Sequence, residues 1–168
     1  SAYDLSSLSS PSTPPISSQD GDPRGITFNS DGSKMFLLGD TNDHVYEYTL
    51  STAFDTTTIS YASRSLDFSS KEVTPRGLSF NSTGTKLFIT GQNSDDILEY
   101  DLSTGFDLST ALFNGAYDMS GTVNKPNDIV FNNDGTKAFI GQTGSNKIFS
   151  FSLSSPFSLV DITAENTG

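Results

Sequence analysis

The chain has 168 residues with 9 Lys plus Arg against 20 Asp plus Glu, one His, no Cys and no Trp. A formal charge of -11 argues against nucleic acid and anionic membranes as partners. The missing thiols remove disulfides and thiolate metal sites, and a single His removes a multi-His metal centre within one chain. With 28 Ser and 19 Thr, the composition favours β-structure and polar loops over a helical bundle.

Residues 1–22 read as an outer strand followed by an entry loop. Ala2-Tyr3-Asp4-Leu5 is similar to Ala116-Tyr117-Asp118-Met119 further on, and Pro11, Pro14 and Pro15 forbid a central strand between Ser9 and Asp22. The chain starts at Ser1 rather than Met, so a removed leader stays open. No run approaches the roughly 18 apolar residues that a spanning helix needs, and no membrane insertion is expected.

From Pro23 the chain repeats. Pro23-Arg24-Gly25-Ile26-Thr27-Phe28 returns as Pro75-Arg76-Gly77-Leu78-Ser79-Phe80 and as Pro126-Asn127-Asp128-Ile129-Val130-Phe131. The markers Tyr48, Tyr100 and Phe151 keep step, as do Phe54, Phe106 and Phe157. The expected units are 23–74, 75–125 and 126–168.

Each unit reads as four short strands. In the first they are Gly25 to Asn29, Lys34 to Gly39, Val45 to Leu50 and Ile59 to Phe68. A Ser-Asp-Gly turn joins the first two and can supply the positive φ of a hairpin. Val45, Glu47 and Thr49 alternate with Tyr46, Tyr48 and Leu50, as period two requires. The first two strands are more continuously apolar, which predicts burial on both faces.

Four antiparallel strands recurring at this interval predict an all-β propeller with three blades per chain. Closed rings use about 4 to 8 blades, so an open stack of three leaves two apolar flanks. A homodimer with six blades is the simplest closure, the N-terminal strand completing the last blade of the partner. The reading therefore names a second copy of the chain as partner, with a glycan or another surface protein as further possibilities.

The units PRGITFNSDGSKMFLLGDTNDHVYEYTLSTAFD and PRGLSFNSTGTKLFITGQNSDDILEYDLSTGFD resemble propeller repeats of uncharacterised bacterial and phage-encoded proteins, marine ones especially. The third unit departs from that pattern at Asn127 and Phe151. The resemblance implies an extracellular, virion or cell-surface protein with a structural or binding role, and it transfers no catalytic residues.

Propeller topology places the entry loops on one face with the loops between second and third strands. Arg24, Arg76, Asn127, Asp22 and Lys125 are the candidate ligand-binding residues there. Arg forks suit a carboxylate, a phosphate or an acidic glycan; the competing reading pairs each Arg with an Asp of a neighbouring blade. Asp40 with Asp43 and Asp95 with Asp96 offer oxygen ligands for Ca²⁺, but Thr143-Gly144-Ser145-Asn146 in the third unit has no acids, so solvated loop carboxylates are expected. His44 reads as a surface residue. Neither a nucleophile elbow nor a phosphate loop occurs. No cofactor, metal or catalytic residue is assigned. The expected function is a non-enzymatic, self-associating structural or binding module, with a lectin as first alternative and a hydrolase or lyase using acidic groups as second.

Overall fold

The computed structural model describes residues 16, 18–144, 147–160 and 162–164. Twelve strands form three four-stranded antiparallel sheets among them. Blade 1 holds β1 (Pro23–Phe28), β2 (Lys34–Gly39), β3 (His44–Leu50) and β4 (Ile59–Asp67). Blade 2 holds β5 (Pro75–Phe80), β6 (Lys86–Gly91), β7 (Asp96–Leu102) and β8 (Ala111–Asp118). Blade 3 holds β9 (Pro126–Phe131), β10 (Lys137–Gln142), β11 (Lys147–Ser152) and β12 (Thr163–Ala164). Strand order follows the sequence in every sheet. The innermost strands β1, β5 and β9 lie side by side, so the blades stack about one axis as the repeat predicts.

The recurring turn residues form a lock. Asn29 Oδ1 accepts the Lys34 N–H at 2.9 Å, and Gly32 takes a φ of 72° that its lack of Cβ permits. The Phe54 N–H then bonds to the Gly32 carbonyl at 3.0 Å. A Cβ on Gly32 would run into the Phe54 ring. Gly84 with Phe106 and Gly135 with Phe157 repeat the arrangement. The hairpin turn and the Phe corner recur together because each requires the other. After the corner, Asp55 and Asp107 cap single 3₁₀ turns at Thr56–Thr58 and Leu108–Thr110.

Two cores lie between blades. Phe36, Leu38 and Val45 of blade 1 pack on Leu78, Ile89, Leu98 and Tyr100 of blade 2. Phe88 and Ile97 of blade 2 pack on Ile129, Ala138, Ile140 and Phe151 of blade 3. At the centre of each, one Phe of the earlier blade meets a Phe pair of the later one. The Phe36 ring centroid is 4.7 Å from Phe80 and 6.2 Å from Phe106; Phe88 is 4.7 Å from Phe131, which in turn is 5.3 Å from Phe157.

Glu47 appears in the sequence only as part of the strand alternation, and the structure makes it an interior residue. Both faces of the sheet are covered, so its carboxylate is wholly buried, with Lys34 Nζ at 2.8 Å, Arg64 at 3.2 Å and the Leu108 N–H of blade 2 at 3.0 Å from its oxygens. Strand β1 has no buried residue where continuous burial was expected, because no described strand covers its outer side; β5, with a neighbour, has half of its residues buried and none exposed. The fourth place in blade 3 is taken by β12 of the same chain, which pairs with β11 at Phe151 and Ser152. The expected N-terminal strand lies outside the described residues.

Candidate functional site

The entry of each innermost strand faces the axis, and three such entries converge on one mouth. A cavity of about 190 Å³ there is lined by Arg24, Arg76, Asn127 and Asp128, with the glycines and aliphatic residues between them. The glycines matter for shape: a Cβ on Gly77 would collide with Asp128. Each charged group therefore comes from a different blade, and they meet only because the blades stack.

Arg24 is held in its own blade. Its Nε donates to Asp40 at 2.8 Å and its terminal nitrogen to Asp22 at 2.7 Å, with a second contact to Asp40. The Asp40 hydrogen bond raises the Arg24 pKa further above its ordinary value. Arg76 is more loosely engaged. It lies 3.8 Å from Asp40 of blade 1 and donates to the Pro75 carbonyl at 3.3 Å. Of the two Arg, only Arg76 meets an Asp of the neighbouring blade.

Asn127 takes the position of Arg24 and Arg76 in blade 3. Its Oδ1 accepts the Thr143 hydroxyl at 3.3 Å, and this leaves its amide hydrogens to act as donors. Asp128 was not singled out in the sequence. It replaces Gly25 and Gly77 of the earlier blades, a substitution of acid for glycine at one repeat position that could have marked it. It sits at the exposed edge of blade 3, yet close packing about its carboxyl pushes the pKa up, partly offset by the Ile129 N–H donating at 2.9 Å. Asp128 shares the cavity lining with Arg24 and Arg76, and a carboxylate whose pKa is raised by burial is suited to moving a proton.

The other candidates fall outside the cavity lining. Asp22 serves Arg24. Lys125 adopts a φ of 55° at the loop entering β9 and gives its backbone N–H to Asp95 at 2.6 Å. Of the four loop acids, Asp40 and Asp95 are thus held by donors, while Asp43 Oδ1 is buried without a hydrogen-bond partner among the described residues. Asp40 is tied to Arg24 and Asp95 to Lys125, and no cluster of metal-ligating side chains occurs among the described residues. His44 stacks on Tyr46 with ring centroids 5.7 Å apart.

Two further acids went unnoticed. Asp20 and Glu72 are buried at 2% and 1% exposure. Asp20 accepts the Asp22 N–H at 2.8 Å and Glu72 the Thr74 N–H at 2.7 Å, so each pins an entry loop behind the mouth.

No family model matches the sequence, and no curated protein matches it. Solved structures do. A protein from Bacteroides fragilis, assigned provisionally as a 6-phosphogluconolactonase, superposes with a TM-score of 0.65 at 15% identity, over 84% of this chain and 37% of the other. The periplasmic gluconolactonase of Pseudomonas aeruginosa gives 0.61 at 12% identity, over 86% and 39%. The β-propeller domain of Cps50 (Swd1) from Myceliophteria thermophila gives 0.58 at 9% identity, over 79% and 40%. The chain thus spans about two fifths of the length of these propellers.

The expected non-enzymatic structural or binding role is overturned by this company, since two of these three neighbours bear lactonase names. The sequence reading ranks a hydrolase or lyase only as its second alternative, for a physical reason. A site assembled from strand entries of separate blades leaves no contiguous motif. No described helix is long and apolar enough to cross a membrane, and one neighbour is named as periplasmic. At these identities the likeness establishes the architecture: the chain is a three-bladed stretch of β-propeller.

Proposed function

We propose that this propeller segment forms part of a hydrolase site that opens the lactone ring of an anionic sugar acid. The observation that carries this reading is the meeting of Arg24, Arg76, Asn127 and Asp128 around one mouth cavity. The lactonase names of two structural neighbours support the reaction class.

Arg76, held only at 3.8 Å by Asp40, receives the phosphate or carboxylate of the substrate. Asn127 donates to the lactone carbonyl oxygen, where negative charge develops as water adds. Asp128 accepts a proton from that water. The oxygen bonds to the carbonyl carbon, the ring C–O bond breaks, and the proton passes from Asp128 to the departing ring oxygen. The product is the open hydroxy acid, and Asp128 returns to its starting form. Arg24, neutralised by Asp22 and Asp40, orients the mouth rather than the substrate.

The test is acid release in a pH-stat with phosphorylated, carboxylated and neutral aldonolactones. The wild-type chain is expected to open the anionic lactones above the uncatalysed rate. Asp128→Asn is expected to lose roughly 10²- to 10⁴-fold in kcat. Arg76→Ala is expected to raise KM for anionic lactones and leave neutral ones unchanged. Wild-type rates equal to the blank with every lactone, or full activity in Asp128→Asn, would overturn the assignment.

A further inference from the structure

Within this chain the same interface is built twice, and each time one residue set faces forward. In blade 1 it comprises Phe36, Leu38 and Val45, and in blade 2 Phe88, Thr90 and Ile97, all 0% exposed. The set in blade 3 is Phe139, Gly141 and Ile148. There Ile148 is 77% exposed and Val130 beside it 51%. These four residues and Asp128 line an apolar cavity of about 350 Å³ on the outward flank.

The receiving set also recurs. Leu78 of blade 2 and Ile129 of blade 3 are buried at 8% and 0%. In blade 1 Met35, Leu37, Tyr46 and Tyr48 of the matching set are buried in a cluster of their own, while Ile26 at its inner edge stays 59% exposed. Leu78 reaches the place where Gly25 would carry a Cβ, close to Leu38. The Phe pairs that receive Phe36 and Phe88 have a third member in Phe28 and Phe54, with centroids 5.5 Å apart. Their separation matches the 5.2 Å and 5.3 Å of the occupied pairs, but no described Phe of an earlier blade fills it, and Phe54 is 58% exposed.

Behind that empty pair the chain already carries the tail of a preceding blade. Ile16 to Asp20 repeats the backbone hydrogen bonds of Phe68 to Glu72 and of Met119 to Val123. Among the described residues no forward-facing Phe reaches the Phe28 and Phe54 pair, and the forward face of blade 3 presents one in Phe139.

We propose that the outward flank of blade 3 docks on the first blade of a second copy of this chain, with Phe139 entering the Phe28 and Phe54 pair and Ile26 entering the cavity beside Gly141 and Ile148. Two copies joined twice in this way make a ring of six blades, within the range of about 4 to 8 that closes. The contact is head to tail, so both flanks are used in each copy. The internal interfaces supply its template, and an exposed aliphatic patch of this kind is costly in water when left bare.

The test uses light scattering on the full chain and on two variants at exposed positions. Ile26→Asp and Ile148→Asp alter side chains that are 59% and 77% exposed, so their circular dichroism should match wild type. The wild type is expected at twice 18.0 kDa and each variant at 18.0 kDa. Mixing the two variants restores a dimer, because one intact flank of each kind remains. A wild type at 18.0 kDa through the micromolar range would overturn the proposal. So would dissociation by Ile148→Asp with Ile26→Asp still dimeric, which would mean a face-to-face contact of two blade 3 flanks. Lactone turnover plays no part in the readout.

Discussion

Ile97 in β7 and Ile148 in β11 occupy the same place in their blades, yet Ile97 is fully buried and Ile148 is 77% exposed. Both lie on antiparallel strands of similar length, next to a β-bulge-free pairing with the preceding strand. The difference is the neighbour. Blade 3 covers the first, and no described element covers the second. In a propeller, burial belongs to the pair of blades rather than to the residue, and stability should follow the same rule.

The largest contrast is expected between Phe88 and Phe139. Phe88→Ala removes a wholly buried ring seated on Phe131 and should cost about 3–5 kcal/mol in urea unfolding. Phe139→Ala, made in the Ile26→Asp background to keep the chain as a single copy, should cost less than about 1 kcal/mol. Equal losses would break the comparison.

A smaller contrast is expected between the buried glutamates. Glu47 Oε2 accepts the Leu108 N–H across the blade interface, whereas Glu99 Oε2 is buried without a hydrogen-bond partner. Lys34 and Arg64 remain partly exposed and can be resolvated when Glu47 is lost. Glu47→Gln should therefore destabilise by about 2 kcal/mol and Glu99→Gln by less, both read from urea midpoints. At the mouth, Arg76→Ala breaks only a partly exposed 3.8 Å contact. Its effect on stability should stay below about 1 kcal/mol, so a change in KM for anionic lactones can be read without an unfolding artefact.

The smallest effect is the response to acid. Asp31, Asp55, Asp107 and Asp134 have pKa values lowered first by hydroxyl donors, namely Ser33, Thr57, Ser109 and Thr136. Their contribution is present above the unfolded value near 3.9 and is lost as pH falls through the lower folded values. Asp43 and Asp96, raised first by burial, act in the opposite sense. Urea midpoints should hold near neutral pH and fall below about pH 4, with a shallower fall in Thr57→Ala and Ser109→Ala. Salt should also sharpen the comparison between closed and open flanks. Two copies each carry -11, and screening should favour their association.

The blades were legible because local rules and the repeat agree. Gly32, Gly84 and Gly135 mark positive φ in the turns, and the Phe at 54, 106 and 157 keeps the same distance from them. The candidate site was only half legible. Arg24, Arg76 and Asn127 stand out by their place in the repeat, whereas Asp128 is marked only by replacing the glycine of the earlier units, and its closeness to Gly77 appears only once β9 lies beside β5. The burial of Glu47 and Glu99 was not legible for a related reason: each lies on a strand face that a neighbouring blade turns into an interior. Asp20 and Glu72 bond backbone N–H groups two residues on and also N–H groups of loops about twenty residues away in sequence, and the second set is visible only in the fold.

The chain contains no Cys, so a cross-link can report directly on whether the two flanks meet. Ile26→Cys is exposed, and a side chain at Gly141 enters open space. Oxidation of the chain carrying both changes is predicted to give a covalent dimer on a non-reducing gel, with each single variant left uncoupled. A double variant that stays at 18.0 kDa, or a Gly141→Cys variant that couples to itself, would contradict the claim that blade 3 ends in an unfilled copy of the internal interface.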